Sequence, residues 1–273
     1  MQMPIYSILR RKTTAAIRAF REGGAKGLLE QVRRKAYVWR VCFAARGVKS
    51  VALDGSTFSL ETIPNNAIKV SLLKGKYERF ERHAVLQYVS PELPVVELGA
   101  CIGVVACVTN GILNNPEAHV VVEANPQVIP ILQRNRDGNN CKFEILHAAI
   151  AYGRSSVEFA PASDFRGSSL RRDDNRSHDN ALVVVAATAL STIVAQRDFD
   201  QFTLICDIEG HEYELVTLDA ETLRRVDTLI LETHARLIGE AKNNELMQKL
   251  GELGFRIIDQ DSYVVVMRRN ALT

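Results

Sequence analysis

The sequence predicts an α/β fold built on a mostly parallel sheet with helices on both faces. Three observations predict it. Short runs that are apolar throughout, "VVEL" (95–98), "HVVVEA" (119–124), "FTLICDI" (202–208) and "TLILET" (228–233), recur with helical patterns between them. Strands without a polar face are buried on both sides, as the strands of a parallel sheet are. The last two strands, "FRIID" (255–259) and "YVVVM" (263–267), are separated only by "QDS". So short a connection permits only a hairpin, and the final strand is expected to run antiparallel to its neighbour. The chain has 273 residues, 47% of them hydrophobic and 24% charged, which is enough apolar material for a sizeable core.

Taken in order, residues 5–46 read as helical, with apolar residues three or four apart and Gly23-Gly24 dividing two halves. Leu28, Leu29, Val32, Ala36 and Trp39 form an apolar face expected to pack on the main domain. Residues 1–50 carry 12 Lys/Arg against 2 Asp/Glu, and the other 223 carry 22 against 30. A basic arm, residues 1–49, is thus set apart from a mildly acidic body, residues 50–273. Its charge also suits an anionic membrane surface. It could attract nucleic acid as well, but no nucleic-acid motif accompanies it, and no such partner is expected.

"VALDGSTFSLET" (51–62) places Asp54-Gly55 between two extended runs, a hairpin signal. "GKYERFERHAVLQYV" (75–89) reads as a turn and a helix. Strand 95–98 leads to a helix over 102–112, and strand 119–124 to a helix near Pro126, with Asn125 as its cap and Pro126 at its first position. "FEILHAAI" (143–150) reads as one strand. The polar stretch 163–180 is too charged for core and reads as a lid or binding loop. "STIVAQRDF" (191–199) and residues around 241–253 read as helices.

The five cysteines are scattered, odd in number and without a C-x-x-C pair, which favours free thiols in a reduced compartment. No run of about 20 apolar residues occurs, and the N-terminus lacks a secretory signal pattern. A cytoplasmic protein is expected, with the basic arm able to meet the inner face of a membrane.

The candidate site lies at the strand ends, since an open parallel sheet binds ligands beyond its carboxyl edge. "VVELGACIG" (95–103) puts Glu97 at a strand end and Gly99 and Gly103 in the turn after it, where a missing side chain lets backbone approach a ligand. The spacing is neither G-x-G-x-x-G nor a P-loop. Glu123 ends the next strand, 26 residues on, where an acid can accept from both hydroxyls of a ribose. "CDIEGHEYEL" (206–215) crowds Asp207, Glu209, His211 and Glu212 after an apolar strand, and "LETHARL" (231–237) ends another strand with Glu232 and His234. Neighbouring strands would bring these groups into one cleft. Asp207, Glu209, Glu232 and His234 could then act as a general base with orienting partners, or as ligands of a divalent metal such as Mg²⁺.

"YERFE" (77–81), "VVELGACIG", "VVVEANP" (120–126), "HAAIAYG" (147–153), "TALSTIV" (188–194), "CDIEGHEYELV" (206–216) and "LILETH" (229–234) stand in the order and at roughly the spacing of FkbM-type S-adenosylmethionine-dependent methyltransferases, which residues 50 to 268 resemble. The resemblance implies a Rossmann-like class I methyltransferase fold, a seven-stranded sheet with an antiparallel last strand, here with an N-terminal helical extension and a β-hairpin. It implies that Glu97, Gly99 and Gly103 form the methionine loop of the S-adenosylmethionine site. Glu123, with Asn125, would hold the ribose, and Ala148 would border the adenine. Tyr77 and Glu78 would lie over the cofactor, and Asp207 would also touch it. Asp207 and Glu209 match the D-x-E of the family's block and His234 matches its His near the fifth strand; these three are the expected catalytic residues, and Asp207, Glu209 and Glu232 would be the ligands of any metal. Glu97 stands where Asp is common, Cys101 where Asn is frequent, and Cys206 where Lys is frequent.

The activity implied is O-methyl transfer to a hydroxyl of a sugar, a nucleotide sugar or a lipid-linked glycan precursor. In that reading Arg166, Arg171 and Arg172 of the polar stretch would meet acceptor phosphates. A small metabolite such as a polyketide is the alternative acceptor. A nucleotide-binding dehydrogenase and a non-catalytic relative on the same fold are the alternative classes.

Overall fold

The structure, a computed structural model, describes residues 26–27, 29–160, 169–170 and 182–270. Residues 29–44 form the first helix, α1. A hairpin follows, β1 (Ser50–Leu53) and β2 (Ser56–Ser59), then α2 (Asn66–Leu73) and α3 (Arg79–Tyr88). The alternating core begins with β3 (Val95–Leu98), α4 (Val104–Ile112), β4 (His119–Glu123), α5 (Ile129–Gly138) and β5 (Glu144–His147). Four strands then leave the main sheet: β6 (Ala149–Ile150), β7 (Ser156–Ala160), β8 (Ser169–Leu170) and β9 (Val183–Thr188). The chain returns through α6 (Leu190–Gln196), β10 (Phe202–Cys206), α7 (Glu212–Leu218), α8 (Ala220–Leu223) and β11 (Val226–Glu232). It closes with α9 (Ala235–Ile238), α10 (Glu240–Glu252), β12 (Phe255–Asp261) and β13 (Val264–Arg269).

The main sheet has seven strands in the order β12-β13-β11-β10-β3-β4-β5. Only β13 runs against its neighbours, pairing antiparallel with both β11 and β12. The expected seven-stranded sheet with a reversed last strand is thus the fold observed. Alternate residues of each strand serve opposite faces. Val96, Leu98, Leu204 and Leu229 pack with α6, α7 and α10, while Val95, Ile205 and Ile230 pack with α3 and α4. This two-sided burial explains why the strands read as unbroken apolar runs. The chain builds outward from β3 to β5 and then restarts at β10 on the other side of β3. That reversal between β3 and β10 is the switch point, and it opens a crevice at the carboxyl ends.

The Asp54-Gly55 hairpin forms as read. Both turn residues have positive φ, +46° and +86°, the mirror-image turn that matches strand twist. The turn has a second use, because the Asp54 carboxylate pairs with the buried Arg82 of α3. Arg82 also donates from Nε to the Tyr77 carbonyl (2.9 Å) and from Nη2 to the Gly75 carbonyl (2.9 Å), fixing the turn that presents Tyr77.

Three expectations need correction. Residues 143–150 are not one strand. The Ala148 N–H bends back to the Leu146 and Glu123 carbonyls (3.0 and 3.1 Å), so β5 stays in the main sheet and β6 pairs with β9 in a four-stranded sheet of order β6-β9-β7-β8. Asn125 does not cap a helix that starts at Pro126. It closes a turn through its Oδ1, which accepts from the Gln127 N–H (3.0 Å), and α5 starts at Ile129 with Pro130 in its first turn. Lastly, Leu29, Val32, Ala36 and Trp39 of α1 are exposed, Trp39 by 64%, and do not pack on the domain. Val38, Val41, Cys42 and Ala45 are the half-buried residues instead. Leu28 and, save 169–170, the polar stretch 163–180 lie outside the described residues.

Gly99 joins β3 to the crevice with φ +87°, and a Cβ there would overlap the Asp207 carbonyl of the adjacent strand. Gly99→Ala is expected to cost about 3 kcal/mol, combining left-handed strain with a backbone overlap. Urea unfolding would measure it, and a loss below about 1 kcal/mol would mean that the β3–β10 junction gives way freely.

Candidate active site

The carboxyl ends of β3, β4, β10 and β11 open on a cleft of about 470 Å³, within the range of small-molecule sites. Its lining includes Tyr77, Glu78, Gly99, Glu123, Asn125, Ala148, Asp207, Glu209 and Glu232. Residues far apart in sequence meet here because each follows a strand that ends at the same sheet edge.

Glu123 organises one part of the cleft. Its Oε2 accepts from the Cys101 N–H (2.7 Å) and its Oε1 from the Asn125 N–H (2.6 Å), so both oxygens are fixed by main chain. Cys101 adopts φ +49° to aim that N–H. Burial pushes the Glu123 carboxyl up to about 7, although the Asn125 and Cys101 N–H groups pull it down. The Ala124 N–H also bonds this carboxylate, which keeps lone-pair capacity for a ligand hydroxyl. Ala148 lies beside it, tied by its N–H to the Glu123 carbonyl. Tyr77 covers the Gly99–Cys101 turn, its hydroxyl donating to Cys101 Sγ (3.5 Å). Burial raises the ionisation of Tyr77 and of Glu78 well above the ordinary range, with Glu81 as the next cause for Glu78.

Two residues of the expected methionine loop sit elsewhere. Gly103 opens α4 away from the cleft, and its missing side chain makes room for Leu132 of α5, not for a ligand. Glu97 is buried beneath the glycine turn, 3.7 Å from His119 Nε2. It faces only a small adjoining cavity of about 30 Å³, which it shares with Glu78, Asp207 and Glu232. Gly99 does line the cleft, but its Cα hydrogen faces the Asp207 carbonyl of the neighbouring strand.

The other part of the cleft is acidic. His234, after β11, stands among four carboxylates. Its Nδ1 is 2.8 Å from Glu212 Oε1, and its Nε2 lies 3.5 Å from Asp207 Oδ1, 3.5 Å from Glu209 Oε2 and 3.9 Å from Glu232 Oε1. Burial opposes a charge on the ring, but the hydrogen bond and charge of Glu212, with Asp207 and Glu209, outweigh it and push His234 up to about 9. Burial likewise opposes the Glu212 charge, and His234 and the Gly210 N–H (3.0 Å) hold that carboxyl below its ordinary value. Burial first, then the Glu232 charge, raises Asp207 well above the carboxylate range, with His234 pulling the other way. A ring shifted in this direction favours the imidazolium, which has no free lone pair. This placement favours a charge-holding role for His234 over the expected one of general base.

Glu212 is the functional residue the sequence reading left without a role. It stands in the first turn of α7, fully buried, and its Oε1 also faces the Ile208 N–H (3.3 Å). The signal was present: an acid three residues past Glu209, on the helix that must turn back under the strand end. Arg82, Glu81 and Asp261 were also missed, because nothing in their local sequence links them to the strand ends.

The family model described as the methyltransferase FkbM domain matches residues 97–257. The chain belongs to the FkbM methyltransferase family. As an FkbM methyltransferase it uses S-adenosylmethionine as its donor, and the matched span holds Glu123, Asp207, Glu209, Glu212 and His234. No curated protein matches the chain. Among solved structures it is similar to a ribosomal protein L11 methylase from Lactobacillus delbrueckii subsp. bulgaricus, at 11% identity and TM-score 0.41 over 72% of this chain and 80% of that one. It is also similar to a precorrin-6y C5,15-methyltransferase from Geobacter metallireducens GS-15, at 14% identity and TM-score 0.40 over 68% and 84%. A putative O-methyltransferase from Klebsiella pneumoniae gives 8% identity and TM-score 0.43 over 71% and 81%.

The FkbM pair Glu212–His234 has a pH signature. The raised His234 value means its stabilisation is fully present below the unfolded value near 6.5 and is lost as pH rises through about 9. His234→Ala, which strands Glu212, is expected to cost about 3 kcal/mol at pH 6.5. That deficit should shrink clearly by pH 10. Denaturation at both pH values would check it; an unchanged deficit would mean that the ring is neutral throughout.

Proposed function

We propose that the protein transfers a methyl group from S-adenosylmethionine to a hydroxyl of a sugar or glycan precursor, with Asp207 as the base. The observation that carries this reading is that one cleft joins two unlike environments. One is Glu123, whose oxygens are held by backbone N–H groups. The other is the carboxylate cluster of Asp207, Glu209 and Glu232 around His234.

The Glu123 region fits the donor. A fixed carboxylate suits the two ribose hydroxyls, with Ala148 beside it for the base. The donor supplies an electrophilic methyl on a sulfonium, and the acceptor oxygen attacks it as the carbon–sulfur bond breaks. The proton of that hydroxyl goes to the Asp207 carboxylate, which lines the cleft at the end of β10 with His234 Nε2 3.5 Å away to favour its ionised form. His234 is a positioning residue: its charge, fixed by Glu212, keeps Asp207 and Glu209 together. Alignment of the two substrates supplies much of the remaining rate. Carboxylates accept from hydroxyls, so the acidic end favours a neutral polyol over a phosphate at the reacting position. A phosphate, if the acceptor carries one, belongs outside this end.

A metal-assisted version has its own support. Ligand atoms of Asp207, Glu232 and His234 all lie within 4.8 Å of one another, and Glu212 holds the far ring nitrogen, as partners of metal-bound imidazoles do. This trio includes His234 in place of the expected Glu209. A divalent cation there would require His234 neutral and would lower the pKa of a bound hydroxyl.

Calorimetric titration with S-adenosylmethionine and its demethylated product tests the donor side. Glu123→Gln is expected to weaken binding roughly tenfold or more, having lost a charged acceptor. Wild-type affinity should rise as pH passes about 7 and Glu123 ionises. Asp207→Asn should keep donor binding within a few-fold and lower transfer to sugar acceptors by about 10²–10⁴. Equal loss of donor binding in both variants would remove Asp207 from the role of base. Turnover that survives a strong chelator, without gain from added Mg²⁺ or Mn²⁺, would dismiss the metal version.

A further inference from the structure

The outer face of α1 has no partner among the described residues and is not explained by methyl transfer. Leu29, Val32, Ala36, Trp39 and Phe43 recur three and four residues apart, which puts them on one stripe of the helix. All five are exposed. The half-buried residues, Val38, Val41, Cys42 and Ala45, lie on the opposite side and face the domain. Contact with the body is slight, through Cys42 Sγ to the Asn66 carbonyl (3.9 Å) and Lys74 Nζ over the Tyr37 ring (4.4 Å).

Cations flank the stripe. Arg33 and Arg40 follow one edge, seven residues apart, and Lys35 lies along the other. Arg46, just past the helix, sets its guanidinium 3.7 Å from the centre of the Phe43 ring. Trp39 and Phe43 stack with centroids 5.1 Å apart, forming one aromatic plate in the stripe. A stripe of aliphatic and aromatic side chains edged on both sides by Arg and Lys is the form of a helix that lies in a lipid interface.

We propose that α1 docks the protein on an anionic membrane, with the Leu29–Phe43 stripe in the headgroup–acyl boundary and the flanking cations on lipid phosphates. Other occupants fit less well. A second copy placing the same stripe against this one would bring Arg and Lys edges against each other. A nucleic acid would use the cations but would leave Leu29, Val32 and Ala36 against water or phosphate. The lipid reading uses both sets of residues. It also reaches the cleft: α1 rests on α2, and α2 with its following turn supplies Ser71, Lys76 and Tyr77 to the cleft lining. Docking would hold the cleft near the headgroups, where a lipid-linked acceptor would be met.

Trp39 is the single tryptophan of the chain, so fluorescence reports this face directly. The full-length protein would be mixed with phosphatidylcholine vesicles with and without phosphatidylglycerol. The expected result is a blue shift only when phosphatidylglycerol is present, reversed by high salt. Lipid-partition constants from vesicle sedimentation should fall roughly tenfold or more for Arg33→Glu/Arg40→Glu and for Phe43→Glu. Melting curves would confirm that both variants fold. No shift, a shift equal on neutral vesicles, or wild-type partition of either variant would overturn the proposal. A blue shift on concentrating the protein alone, with a rise in mass, would assign the stripe to a second copy instead. Failure here leaves the methyltransferase reading untouched, because donor binding is measured without lipid.

Discussion

The buried pair of Glu212 and His234 is the constraint on which the acidic end of the cleft depends. Three carboxylates at the ends of two adjacent strands, Asp207, Glu209 and Glu232, would repel one another. An imidazolium in their midst removes that repulsion, and a fully buried carboxylate behind it keeps the ring charged. The hydrogen bond between them runs from the first turn of α7 to the second residue after β11. It thus ties together the two strand ends on that side of the switch point. Glu209 and Asp207 then face the outer ring nitrogen at equal distances, 3.5 Å. The proton affinity of Asp207 reflects a balance between burial and Glu232 on one side and His234 on the other.

The Glu123 end obeys a different rule. Among the described residues no cation pairs with Glu123. The protein satisfies a buried carboxylate with main-chain donors, which requires the Gly99–Cys101 turn to point the Cys101 N–H inward. That turn is possible because Gly99 lacks the Cβ that would strike the Asp207 carbonyl. The Asp207 N–H donates to the Leu98 carbonyl (2.9 Å), so the same junction locks β3 to β10. The turn proposed to meet the donor and the strand carrying the proposed base are therefore one mechanical unit. The glycine serves protein–protein contact inside the chain, and the ligand site follows from it.

Helix α1 illustrates how far periodicity reaches. Its spacing marks a helix with an apolar stripe, and that much is true of the structure. Periodicity carries no information on what covers the stripe. The burial pattern places the domain on the opposite side, against Val38, Val41 and Cys42, and leaves the Trp39 side outward. An apolar face read as core can equally be an outward face with its own partner, and only the position of the neighbouring domain separates the two.

What the sequence determined by itself was the strand set, the reversed last strand, the Asp-Gly hairpin and the clustering of acids at strand ends. These are local or near-local facts: apolar period, connection length, turn chemistry. The acids Glu123, Asp207, Glu209 and Glu232 were legible because a charge directly after a buried strand has nowhere to go except the sheet edge. What tertiary structure alone decided was which neighbour each group faces. Glu97 and Gly103 belong to the glycine loop in sequence, yet one points under the sheet toward His119 and the other toward Leu132 of α5. Ala148 breaks a continuous apolar run because its N–H finds a carbonyl on β4. His234 has the residue type of a base, and Glu212, Asp207 and Glu209, brought to it across the neighbouring strand end, favour its cationic form. Such outcomes depend on the summed field and packing of distant segments, and no local pattern in the sequence records them.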